Sequence, residues 1–164
     1  FHLIPSNGTS TMLFVANVDV NYTWFIKISQ LVEKDDLYAP VGCLQYFTDR
    51  EGSVTSLNFM GSEGHYLGNL FYAMCFRRLP QDVRITYTDL LINLDQSTSC
   101  SNLQSTDYLI IPNDDYSSDI CGKQAKPIIR TFSKPGPFMV FFNSDSANKN
   151  DGNGFKYTYI IGTV

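Results

Sequence analysis

Pro137-Phe138-Met139-Val140-Phe141-Phe142, then Asn143-Ser144-Asp145, then a loose polar loop, then Gly154-Phe155-Lys156-Tyr157-Thr158-Tyr159: this stretch decides the fold. The first run is apolar and aromatic, and the last alternates aromatic with polar residues. Both patterns suit pleated strands. Working outward, strand follows strand from residue 42: roughly 43–48, 53–59, 71–78, 82–94, 107–111, 127–133, 137–142 and 154–163. Asp49-Arg50-Glu51-Gly52, Pro80-Gln81-Asp82 and Lys134-Pro135-Gly136 separate them as turns. No segment holds a helical period. Many short strands at this spacing predict an all-β fold, an antiparallel β-sandwich or jelly roll.

The same pattern occurs near the N-terminus. Met12-Leu13-Phe14-Val15, Asn17 and Tyr22-Thr23-Trp24-Phe25-Ile26 parallel Met139-Val140-Phe141-Phe142, Asn143 and Phe155-Lys156-Tyr157-Thr158-Tyr159. Residues 11–19 and 22–31 read as two strands joined at Asp19-Val20-Asn21, with Tyr22, Trp24, Ile26 and Ile28 on one face. Val32 to Pro40 is a polar connector with room for one short helical turn. Residues 1–41 therefore form an N-terminal hairpin and connector, and residues 42–164 the main domain. The hairpin reads as the end of a preceding domain of the same type, or as convergent hairpin patterning. A lone hairpin is marginal in water, so it docks on the main domain or pairs with another segment or chain.

The 164 residues fit one domain, with 12 Phe, 10 Tyr and one Trp. A net charge of −4 with 17% charged residues offers no basic track for phosphates, which argues against nucleic acid as a partner. No apolar run approaches the ~20 residues of a membrane helix, so no transmembrane segment is expected. No basic stretch followed by an apolar one marks a signal peptide. A start at Phe1 fits a processed chain or a fragment.

Cys43, Cys75, Cys100 and Cys121 lie too far apart for a zinc site. An even count at wide spacing reads as two disulfides, and four cysteines allow three connectivities. Neighbour pairing, Cys43 with Cys75 and Cys100 with Cys121, is the reading preferred here; each bond would contribute about 3 kcal/mol. The alternative is four free buried thiols in a cytosolic protein. Asn7-Gly8-Thr9 and Asn21-Tyr22-Thr23 are N-glycosylation sequons in expected turns, so Asn7 and Asn21 are candidate acceptors of a secreted, extracellular glycoprotein.

Nothing in the chain reads as catalytic. There are two histidines: His2 near the terminus, and His65 in the turn Gly61-Ser62-Glu63-Gly64-His65. No GxSxG, HExxH or phosphate-binding GxxxxGK occurs. A solvated turn histidine is the plainer account of His65.

Read in order, several landmarks resemble those of a CUB domain over residues 42–164. They are Gly42-Cys43, Gly52-Ser53 with Asn58-Phe59, the approach Asn69-Leu70-Phe71-Tyr72-Ala73-Met74-Cys75, and the strand Val83-Arg84-Ile85-Thr86-Tyr87 leading to Leu94-Asp95. Cys100, Asp107, Cys121-Gly122, Pro137-Phe138, Ser144-Asp145 and Gly154-Phe155 complete the set. The resemblance implies an extracellular β-sandwich that binds other molecules and does no chemistry. It further implies one calcium ion at the end of the sandwich, held by Asp95, Asp107 and Asp145. Calcium takes 6–8 oxygen ligands in irregular geometry, so loop carboxylates, carbonyls and water suffice. Three carboxylates converging without a cation would repel one another.

Three features depart from the family pattern. Asp95 stands where Glu is usual and reaches less far. Asp107 follows Cys100 at a longer gap than usual. The tyrosine that orients the ligands matches either Tyr66 or Tyr72. The alternative for the aspartates is backbone capping in turns. The loop from Asn143 to Gly154 is not an EF-hand, because its carboxylate spacing is wrong and no Glu closes it.

The function expected is a non-catalytic binding module for a protein partner, with calcium and a partner Lys or Arg at the acidic end. One alternative is a structural protein that forms homo-oligomers or filaments through the N-terminal hairpin. Another is lectin-like glycan binding on an aromatic face.

Overall fold

Phe71 to Phe76 and Phe138 to Asn143 are almost wholly apolar, and they lie side by side at the middle of a five-stranded sheet. The computed structural model describes residues 27–32, 34–59, 61, 64–94, 100, 106–114, 119–124, 128–146 and 152–163. Its strands are β1 (Cys43–Phe47), β2 (Glu51–Thr55), β3 (Phe71–Phe76), β4 (Asp82–Asn93), β5 (Tyr108–Ile110), β6 (Asp119–Cys121), β7 (Arg130–Phe132), β8 (Phe138–Asn143) and β9 (Gly154–Thr163). One sheet runs β1-β3-β8-β5-β6 and the other β2-β9-β4-β7. The expected all-β sandwich is what forms.

Among the described residues, six of the seven strand pairings are antiparallel. The exception is β1 with β3, which are parallel, with Tyr46 opposite Cys75 and Phe47 opposite Phe76. The cause is β2, which belongs to the other sheet: the chain crosses over and back before β3, so β3 returns in the direction of β1.

Alternation buries one face of each sheet. Tyr72, Met74 and Phe76 of β3 point inward, as do Phe138, Val140 and Phe142 of β8. Tyr87, Tyr157, Tyr159 and Phe155 come from the facing sheet, and their rings meet at 4.5–6.0 Å in tilted, edge-on and stacked pairs. A second, smaller cluster lies on the outer side of the five-stranded sheet: Ala39, Cys43, Ala73 and Cys75, with Tyr46, Met139 and Phe141 against it.

The two disulfides pair as expected. Cys43–Cys75 ties β1 to β3, and Cys100–Cys121 ties the chain after β4 to β6. β6 has no counterpart among the expected strands, and the expected strand at 53–59 is shifted to Glu51–Thr55. Asn58 explains the shift: at φ 60° it turns the chain out of the strand. In the connector the expected helical turn does not appear among the described residues; two successive hydrogen-bonded turns do, Asp35 N donating to Val32 O and Tyr38 N to Asp35 O.

The expected hairpin falls mostly on residues 1–26, outside the described residues, as do Asn7 and Asn21. Its second strand was expected to reach residue 31, but residues 27–31 form no strand, and Ile28 is 68% exposed.

Candidate functional site

Three loops meet at the end of the sandwich where β3 and β9 begin and β8 finishes. The first, between β2 and β3, carries Tyr66. Its path is fixed by side-chain amides: Asn58 Nδ2 donates to His65 O at 2.8 Å, and Asn153 Nδ2 donates to Gly64 O at 3.1 Å. Asn93 at the end of β4 donates in turn to Asn153 Oδ1. The second loop leads into β5 and carries Asp107. The third follows β8 and carries Ser144 and Asp145.

Asp107 joins the three. Its carboxylate is fully buried. Oδ2 accepts from the Tyr66 hydroxyl at 2.5 Å, and Oδ1 accepts from the backbone N–H of Asp145 at 2.7 Å. Ser144 then stitches the third loop to the first. Its hydroxyl donates to Leu67 O and accepts from Leu70 N, both at 2.8 Å, while its own N–H donates to Leu70 O. Asp145 O accepts from Asn69 N at 2.7 Å. Asn69 provides that bond from a left-handed conformation, φ 57°.

Of the two tyrosines suggested by the sequence, Tyr66 is the one that reaches an aspartate. Tyr66 is 2% exposed, with its ring edge-on to Phe142. Tyr72 points into the core. Burial pushes its phenol up to about 12, with the Leu57 backbone offsetting part of the effect but not reaching hydrogen-bonding geometry with the hydroxyl.

The three expected calcium ligands fare differently. Asp107 and Asp145 are brought together through the hydrogen bond just described. Asp95 lies outside the described residues, directly after Leu94. Among the described residues no three His, Cys, Asp or Glu side chains cluster as a metal site would require. His65 sits exposed in its turn, with Nδ1 3.4 Å from Gly152 O. Sequence reasoning missed Asn69, Asn93 and Asn153. The signal available was that each is an asparagine at or beside a strand end, where this residue commonly holds turns through its side-chain amide, as at Asn93 and Asn153, or by tolerating the left-handed conformation, as at Asn69.

The family model for the animal CUB domain matches residues 40–161. The chain belongs to the animal CUB domain family. CUB domains are non-catalytic modules that usually mediate protein–protein interaction. The fold is similar to that of the CUB1-EGF-CUB2 domains of rat MASP-1, at 21% sequence identity and TM-score 0.51, over 73% of this chain and 42% of that one. The CUB1-EGF-CUB2 domain of human MASP-1/3 is similar at 21% identity and TM-score 0.48, over 71% and 43% of the two chains. So is the MASP-1 CUB2 domain bound to Ca2+, at 17% identity and TM-score 0.47, over 72% and 98%. This chain thus spans less than half the length of the first two structures. No curated protein sequence matches it. Two disulfides suit an oxidising compartment, as is usual for animal CUB domains. Among the described residues no helix is long and apolar enough to cross a membrane.

Proposed function

We propose that this CUB domain is an extracellular protein-binding module whose acidic loop end holds one calcium ion and receives a Lys or Arg side chain of a partner. The observation that carries the reading is Asp107, a buried carboxylate that ties the Tyr66 loop to the Asp145 loop. Oxygen donors from carboxylates and loop carbonyls are the set that calcium takes. Asp107 and Asp145 are donors of that chemical class. They would hold the ion, together with Asp95 as the family resemblance implies. When bound, calcium supplies positive charge that balances the converging carboxylates and fixes their loops. Tyr66 orients the Asp107 carboxylate, and Ser144 and Asn69 set the Asp145 turn. A partner cation is recognised by the acidic rim so ordered.

Thermal melts with disulfides intact, in excess calcium and in excess EDTA, test this reading. At 100 times its dissociation constant a ligand of the folded state adds about 2.7 kcal/mol. For a domain of this size that raises the midpoint by roughly 5–10 °C. Asp145→Ala should abolish most of the shift. Superimposed wild-type melts would mean that the aspartates are turn residues, and the calcium mechanism would fall.

A further inference from the structure

The opposite end of the sandwich carries a cleft of a different character. Five residue steps along β3, about 17 Å, separate Phe71 at the acidic end from Phe76 at this one. The cleft has a volume of 640 Å³. Its walls are apolar: Pro40, Tyr46, Leu79, Pro135 and Pro137 among them. Arg77 and Arg78, side by side after β3, supply the positive charge, and the Asp82 carboxylate lies in the lining beside them.

These two guanidiniums are held in place without being neutralised. Arg78 lies over the Phe138 ring, its Cζ 4.2 Å from the ring centroid. Its Nε donates to Asp82 O at 3.1 Å, and its Nη1 donates to Lys134 O at 2.9 Å and Gly136 O at 2.5 Å. Arg77 Nη2 donates to Thr48 O at 3.0 Å, and its backbone N–H to Phe47 O. Every one of these acceptors is an uncharged carbonyl. The side chain of Asp82 meets Arg50 and the Leu79 N–H rather than either of these guanidiniums. Its Oδ1 lies 3.0 Å from Arg50 Nη1, an ion pair without hydrogen-bond alignment, and its Oδ2 accepts from Leu79 N at 2.7 Å. A guanidinium has five N–H donors. Arg77 commits one and Arg78 three, so both keep donors and full charge for an anion.

We infer that this cleft binds an acidic peptide segment of a partner protein, a carboxylate on Arg77 and Arg78 with a neighbouring apolar side chain against the proline wall. Charge complementarity names the anion, and the planar fork of arginine suits a carboxylate. The prolines and Tyr46 favour peptide over polyanion. A sulfated polysaccharide needs a long basic track, and a chain of net charge −4 does not provide one. Because the walls are rigid prolines and Arg78 is already fixed, little ordering opposes binding. The site is independent of the calcium reading and stands or falls separately.

An array of hexapeptides tests it, each carrying one Glu or Asp flanked by Leu, Phe or Pro, alongside Gln and Asn counterparts. The wild-type domain should bind acidic spots and not their amide counterparts. For the best acidic hexapeptide in solution, Arg77→Gln should weaken binding about tenfold, the loss of a charge-assisted hydrogen bond. Lys156→Gln removes the same charge from an exposed β9 position and should leave affinity unchanged. Amide resonances of Arg77, Arg78 and Gly136 should shift on titration. Equal binding of amide peptides, equal loss in both variants, preference for a heparin octasaccharide, or a blank array would each overturn the proposal.

Discussion

Tyr66→Phe isolates the bond on which the acidic end depends. The substitution keeps the ring, which is 2% exposed and edge-on to Phe142, and deletes only the hydroxyl. That hydroxyl donates to Asp107 Oδ2 at 2.5 Å, and Asp107 is fully buried. Hydrogen bonds to charged groups contribute about 1.5–3 kcal/mol, and water cannot readily replace the donor in a closed site. We expect a loss of about 2 kcal/mol in EDTA, read from urea unfolding with the disulfides intact. Because only one bond is lost, the midpoint should move while the slope stays constant. In a thermal melt the same loss corresponds to about 4–8 °C. Tyr72→Phe is the internal control. Its ring also packs against Phe142, but its hydroxyl meets no carboxylate, so the change should be about 0.5 kcal/mol or less. If Tyr66→Phe costs no more than Tyr72→Phe, Asp107 is not held by Tyr66 in solution, and the orienting role assigned to that phenol is wrong.

Alkaline pH should unfold the domain by a predictable route. Burial pushes Tyr72 and Tyr159 up to about 12, and the Tyr87 and Tyr157 phenols are raised as well. In the unfolded chain these phenols titrate near 10. Protons are thus lost from the unfolded state first. The stability is whole below pH 10 and falls as pH rises from 10 through 12. Phenolate absorbance followed beside circular dichroism should show these tyrosines silent until the fold is lost. Gly154→Ala should cost at least about 2 kcal/mol in urea. Its φ is 99°, and an added Cβ would strike the Ser56 side chain, whose hydroxyl accepts from Phe155 N.

The sequence exposed most of the sandwich because its strands are long, aromatic and bounded by turn residues. Phe71 to Phe76, Asp82 to Asn93 and Gly154 to Thr163 carry enough residues for the pattern to register. Asp119–Cys121 does not: three residues cannot show alternation, and the strand exists only because Tyr108–Ile110 lies beside it. The parallel β1–β3 pair was hidden for a related reason, since strand direction depends on which sheet β2 joins. At the candidate site, Asp107 and Asp145 were readable as loop carboxylates after cysteine and serine landmarks. The choice between Tyr66 and Tyr72 was not. It turns on a contact spanning 41 positions, set by how the loop folds back over Phe142. The arginine cleft left no trace in one dimension, because its walls come from four separate turns and strand ends.

The position of β9 has a consequence for how the domain is made. This strand lies between β2 and β4, so Glu51 waits for Ile160 and Tyr87 for Tyr159. A nascent chain that has not yet reached Gly154 owns two strands whose shared neighbour does not yet exist. At 5–20 residues per second those edges stay open for seconds during synthesis. Partnerships so distant along the chain also close slowly. The sandwich is therefore completed only once residues 154–163 have been made, and removing them would take Phe155, Tyr157, Tyr159 and Ile161 from the core and open two strand edges at once rather than trim one.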